Sequence, residues 1–245
     1  MTRALTLSVE RYLEAASHRG KRMIVRIPLV AAALTAALSA TGEAQDIQAP
    51  RMMPPPAGEY TLDPAHGSVI VRVDHMGFSG YPIRFTRFDI QLDFNPQAPE
   101  TMSVTASIDP ASLETHYPGE DVDFDAVLTG PQWLDVESFP AIGFVSHSVE
   151  LTGPDSADVT GTLSMMGFER TITLQVTYNG GYAGMAVYDP QARIGFSATA
   201  EFNRSDFGLA YGIPAEGSSF GVADRVTVSI EAELIGPPLE APPAE

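Results

Sequence analysis

The stretch that decides the fold runs from Ser68 to Phe94, SVIVRVDHMGFSGYPIRFTRFDIQLDF. Val69, Val71 and Val73 alternate with Ile70, Arg72 and Asp74, and Phe88, Ile90, Leu92 and Phe94 alternate with Asp89, Gln91 and Asp93. A period of two in β-branched and aromatic residues gives each strand one apolar and one polar face. Between them, His75–Pro82 carries Gly77, Gly80 and Pro82, residues that break a ladder and permit a reversal. Strands with so wide an apolar face need cover, and the rest of the chain has to supply it.

The alternation recurs downstream. Met102, Val104, Ala106 and Ile108 form one apolar set, Ile142 and Phe144 begin another, and a further strand is expected over Val159–Met165. Ile172, Leu174, Val176 and Tyr178 follow, ending at Asn179-Gly180-Gly181, which reads as a reversal. Ile194, Phe196, Ala198, Ala200 and Phe202 form the next set, and Val226, Val228, Ile230, Ala232 and Leu234 the last. About eight such strands make an all-β fold, either a closed barrel or a two-sheet sandwich. Closure removes edges that strands this apolar would leave open to aggregation, which favours an antiparallel eight-stranded, lipocalin-like barrel. A barrel of this size is filled by side chains or holds one small ligand. The inward set mixes Phe and Ile with Ala and Val, and the pattern leaves both outcomes open. On this register Phe88, Ile90, Phe144, Leu174 and Phe196 should line one continuous apolar space, with Asp89, Gln91, Thr173 and Ser197 in solvent. The exception to the pattern is Pro110–Pro140, where Phe124–Leu128 and Trp133-Leu134 predict a short helical lid or plug around residues 111–134. Trp133, the only tryptophan, reads equally well as a plug residue and as a ligand contact.

The chain has 245 residues, no cysteine and a formal charge of −17. From Ala44 onward it carries eight arginines, no lysine and 28 carboxylates, a balance of −20. Such a surface repels nucleic acid and anionic headgroups. Without cysteine there is no disulfide, no thiolate metal site and no lipoprotein attachment residue. Lys21-Arg22-Met23-Ile-Val-Arg26 is basic, Ile27–Ala40 is apolar, and Thr41-Gly-Glu-Ala44 offers small residues, the order of a secretory signal peptide. Glu10 and Glu14 are out of place in the basic region, which points to Met23 as an alternative start. The expected organisation is a signal peptide over 1–44, a Pro-rich lead-in over 45–58, one barrel domain over 59–235 and a Pro-rich tail over 236–245. Export to the periplasm follows from it.

Chemistry is sparse. His66, His75, His116 and His147 show no metal-binding spacing among themselves or with carboxylates. No nucleophile elbow, zinc-protease helix or phosphate-binding glycine loop occurs, and Asp121 and Asp123 sit in an acidic loop that faces water. No catalytic residue, metal or cofactor is expected.

A set of motifs extends from Tyr60 to Leu234. They are Val73-Asp-His-Met-Gly-Phe-Ser79, Ile108-Asp-Pro-Ala-Ser-Leu-Glu-Thr115, Leu134-Asp-Val-Glu-Ser-Phe-Pro140, Gly161-Thr-Leu-Ser-Met-Met-Gly-Phe168, Asn203-Arg-Ser-Asp-Phe-Gly208 and Asp224-Arg-Val-Thr-Val-Ser-Ile-Glu231. In their order and spacing they resemble the YceI-like family of periplasmic, lipocalin-like polyisoprenoid-binding proteins. The resemblance implies a barrel around a long apolar channel that holds an isoprenoid or quinone tail, and a binding protein rather than an enzyme. The interior and mouth would then be formed by Val71, Val73, Phe78, Phe88, Ile90, Leu92, Phe124, Leu128, Trp133, Ile142, Phe144, Leu174, Phe196 and Phe207. The implied partner is a small apolar lipid, with room for a membrane-associated donor or acceptor. The oligomeric state is left open. One departure stands out: where the family commonly has Arg-Asp-x-His-Leu, this chain reads Phe124-Asp-Ala-Val-Leu128, so two polar anchors for a headgroup are missing. The competing reading is a secreted stress-response or interaction barrel with a dry core.

Overall fold

The computed structural model describes residues 53–185 and 188–239. The proposed signal peptide lies outside the described residues. Ten strands form one antiparallel sheet: β1 (Gly58–His75), β2 (Ser79–Phe85), β3 (Phe88–Phe94), β4 (Ser103–Ile108), β5 (Leu113–Glu114), β6 (Ile142–Gly153), β7 (Ser156–Met165), β8 (Phe168–Tyr182), β9 (Gln191–Asn203) and β10 (Val222–Pro238). β10 pairs with β9 on one side and with β1 on the other, which closes the sheet into a barrel. β2 and β3 pair with successive halves of β1, and β5 and β4 pair with β2 and β3 in turn. Each couple is one barrel strand with a break in it, so the barrel has the eight strands expected.

The breaks have a physical reason. Ile83 and Phe85 point inward from odd positions and Phe88 and Ile90 from even ones, so the strand must reset its parity between them. It does so at Thr86-Arg87, opposite the 3-10 turn Pro110–Ser112 that breaks the neighbouring strand. The backbone groups released there find partners: Thr86 N–H donates to the Ser112 carbonyl (3.1 Å), Arg87 N–H to Ser112 Oγ (3.0 Å), and Asp109 N–H to the Arg87 carbonyl (3.0 Å). A bulge over Asp63–His66 in β1 and another at His147 in β6 reset parity in the same way.

Three local expectations change. The reversal between the first two strands is confined to Met76–Phe78, with Met76 and Gly77 at φ 57° and 74°, and Ser79–Pro82 belongs to β2. Pro82 is tolerated because β2 has no ladder partner beyond β1 at that level. Asn179-Gly180-Gly181 is a bulge inside β8 rather than a turn; a Cβ on Gly181 would strike the Arg193 carbonyl, so glycine lets β9 come close. The Pro-rich segments also begin further out than expected. Pro55 is buried, the Met53 carbonyl accepts from Ala183 N–H, and β10 continues to Pro238.

Between β5 and β6 the chain leaves the sheet. The helix α1 (Phe124–Thr129) is capped by Asp123, whose side chain accepts from Ala126 N–H. Asp125 ties it back to β5, accepting from Thr115 N–H (2.9 Å) and Thr115 Oγ1 (2.5 Å). Leu128 is buried in the core from this helix, which makes the excursion the plug foreseen.

Candidate functional site in the barrel interior

Two cavities of about 340 Å³ and 200 Å³ lie inside the barrel and share the walls Ala106, Phe144, Leu174 and Ile230. The expected single space is thus two adjoining lobes. The larger by itself, and the two together, fall in the range of small-molecule sites, and almost all of their lining is carbon.

The smaller lobe is closed in the sense that no exposed residue lines it. Every residue lining it is buried or half-buried, and it ends on Leu128, Trp133 and Leu134 of the plug. The Trp133 ring meets Tyr211 edge-on at 5.3 Å and has the Arg204 guanidinium over it. Arg204, only 5% exposed, is the one charged residue on this wall. Its nitrogens are turned to backbone: Nε donates to the Ala223 carbonyl, Nη1 to Leu209 and Nη2 to Val222, at 2.5–2.9 Å. Burial holds its pKa below the ordinary arginine value, with Asp224 opposing the shift. Arg204 therefore clamps the segment 208–223 over the barrel end and leaves the lobe apolar.

The larger lobe reaches the surface. Its lining includes the exposed residues Pro96, Ser103, Leu151, Pro154 and Asp155. The β4–β6 ladder holds only from Thr105↔Val145 to Ile108↔Ile142, although β6 continues to Gly153. Where the strands part, Ser146 Oγ accepts the N–H of Val104 at 2.9 Å. The His147 bulge then turns Val149 and Leu151 toward the cavity. A chain of rings borders this lobe: Tyr60 meets Phe94 at 5.3 Å, Phe94 meets Tyr178 at 6.2 Å, and Tyr178 meets Phe196 at 5.4 Å. Tyr60 Oη donates to the Pro56 carbonyl, and burial pushes the Tyr60 phenol up to about 12, with Tyr178 adding to the shift. Burial raises Tyr178 as well, and Asp155 adds to it.

The candidate residues divide accordingly. Ile90, Leu92 and Phe196 line the open lobe, Val71, Val73, Leu128, Trp133 and Ile142 the closed one, and Phe144 and Leu174 both. Phe88 packs between the two core clusters behind the walls, and Phe207 is fully buried against Phe202 without reaching either lobe. Phe124 packs against the core cluster and against Tyr81 and Tyr117 without lining either lobe, and Val127 beside it is exposed and lines neither. Phe78 is the clear correction: it is 81% exposed, because it falls in the turn beyond the last ladder pair, His75↔Ser79, where alternation no longer directs it. Asp89 and Gln91 are exposed as expected. Thr173 and Ser197 are half-buried, since outer-face partners cover them: Thr160 Oγ1 at 3.0 Å and Glu231 Oε2 at 2.6 Å.

Sequence spacing missed one polar group. His66 Nδ1 lies 3.0 Å from Asp63 and 3.8 Å from Glu233, close enough in outline for a metal. Arg193 fills that role instead, with Nη1 at 2.5 Å from Asp63 and Nε at 2.5 Å from Asp189. The group pins the β1 bulge to β9. Its members lie up to 170 positions apart, from Asp63 to Glu233, and only the barrel closure unites them.

Fold and interior together define a closed antiparallel β-barrel with an apolar cavity. The YceI-like domain model matches residues 60–234, and the chain belongs to that family. A UPF0312 protein of Pseudomonas putida is 33% identical over 155 residues, 62% of this chain and 77% of that protein. One from Pseudomonas savastanoi pv. phaseolicola is 31% identical over 185 residues, 74% and 86% of the two chains. Among solved structures, BcnA of Burkholderia cenocepacia superposes with a TM-score of 0.59 at 23% identity, covering 70% of this chain and 98% of that one. A polyisoprenoid binding domain from Saccharophagus degradans, implicated in plant cell wall breakdown, gives 0.52 at 12% identity, covering 74% and 100%.

Proposed function

We propose that this protein binds a lipid with a long apolar chain, an isoprenoid such as a polyprenyl or quinone tail, and carries it in the periplasm. The observation that carries the reading is the pair of adjoining lobes, lined by carbon and large enough together for a folded chain. Burying methylenes there yields roughly 0.8 kcal/mol each, so affinity needs no strong polar contact. The polyisoprenoid binding domain of Saccharophagus degradans, alike in fold, supports the choice of ligand class. The basic, apolar and small-residue order over Lys21–Ala44 supports export. Binding and carriage require no bond to be broken, so the protein works without catalysis. Phe78 and Phe220, 81% and 83% exposed near the plugged end, favour a second reading as an interaction barrel with a dry interior.

Organic extraction of protein purified from its own host, followed by mass spectrometry, separates the two. An isoprenoid in about equal molar amount supports the carrier, and an empty extract supports the interaction barrel. Fractionation with N-terminal sequencing tests export: the mature chain should start near Gln45 in the periplasmic fraction, and a start at Met1 or Met23 would refute it.

A further inference from the structure

Resting on the lipid-binding reading, we infer that the ligand enters sideways through the seam between β4 and β6, tail first, and that its headgroup stays at the seam and is uncharged. The two lobes differ in a way that fixes the direction. No residue on the wall of the closed lobe is exposed, whereas the open lobe reaches solvent at Pro96, Ser103, Leu151, Pro154 and Asp155, in and beside the β3–β4 loop and the β6–β7 turn that flank the seam. The seam exists because the ladder stops at Thr105↔Val145 while β6 runs on to Gly153. Leu151 lines the cavity and is 53% exposed, so it forms the sill. The rings of Tyr60, Phe94 and Tyr178 stack beside this opening, and at the far end Trp133 lies under the Arg204 clamp.

The polar groups of the cavity decide the head. Ser103, Ser156, Tyr178 and Asp155 all belong to the open lobe, and Asp155 is the only charged residue on its wall. Hydroxyls and a carboxylate receive an alcohol or a quinol by hydrogen bonds, and a carboxylate repels a phosphate. Arg204, the one cation on these two walls among the described residues, is in the other lobe with its nitrogens committed to carbonyls. The net charge of −17 acts in the same direction at longer range.

Trp133 is the only tryptophan and lines the closed lobe, so its emission reports arrival of the tail. The chain has no cysteine, which allows site-specific blocking. The full chain is titrated with geranylgeraniol and with geranylgeranyl phosphate while Trp133 emission is followed. The alcohol should bind at least tenfold more tightly, and Asp155→Arg should shrink that ratio by tenfold or more. Leu151→Cys carrying a bulky polyethylene-glycol maleimide should take up the alcohol at least tenfold more slowly than the same variant unlabelled. Phe220→Cys with the same label, at the plugged end, should show no slowing. Slowing at Phe220 but not at Leu151 overturns the seam, and phosphate binding as tightly as alcohol overturns the uncharged head. A wild-type protein that binds neither probe refutes the lipid-binding reading itself.

Discussion

Phe144 borders both lobes, and its ring lies over Gly161, where a Cβ would strike Phe144 Cζ and the Val145 carbonyl. Glycine is needed there for space, since no positive φ is recorded at the position. Gly161→Ala must therefore move both the ring and the β6 backbone at Val145, and it should cost about 1–3 kcal/mol by urea unfolding. An unchanged midpoint would show that the ring has slack. The Asp63 carboxyl is held at about 2 against its usual 3.8, first by its hydrogen bond with His66 and then by the bond from Arg193. A lowered carboxylate stabilises fully above about pH 4, and that contribution is lost as pH falls toward the folded value. The stability gap between wild type and Asp63→Asn should accordingly narrow as pH drops from about 4 to about 2. His66 moves the opposite way, raised above 6.5 chiefly by Asp63 and then by Glu233. Its contribution is complete below that value while Asp63 is ionised and disappears as pH rises through the raised one, so His66→Ala should cost most between about pH 4 and 6 and least in alkali. Gaps that do not change with pH would refute both assignments.

Among the elements, α1 is held by few contacts. Asp125 anchors it to Thr115 by two hydrogen bonds, and Leu128 is its one buried side chain. Asp125→Ala leaves the Thr115 N–H without its acceptor, so a loss of about 1–3 kcal/mol is expected, with faster amide exchange over 115–135. Exchange that rises uniformly over the barrel would mean that the helix is not a separate plug. Strands and their inward faces were legible wherever parity held for four residues or more, as in β4, β9 and β10. It was obscured where bulges shift parity. Val149 and Leu151 belong to the inward face of β6, but the extra residue at His147 puts them out of step with Ile142 and Phe144. Asn179-Gly180-Gly181 read as a turn because glycine serves close strand approach as well as reversal. Phe78 was placed at the interior or mouth by the family resemblance, and its position in the turn beyond His75↔Ser79 leaves it in solvent. The seam was illegible in principle, since it depends on where a ladder between distant strands ends.

At the scale of the whole molecule, parity resets allow the strands to present apolar residues inward over their length while the outer face carries the excess of carboxylates. The interior then holds more volume than its side chains fill, and a solvated acidic shell keeps anionic surfaces away. Tail-driven binding is the central claim, and a titration of prenyl alcohols of rising length, read by Trp133 emission, tests it most directly. Affinity should tighten with each added prenyl unit until the two lobes are full and then level off, with Trp133 responding once the tail is long enough to pass Phe144. Equal affinity for every length, or a Trp133 signal that never changes, would contradict it.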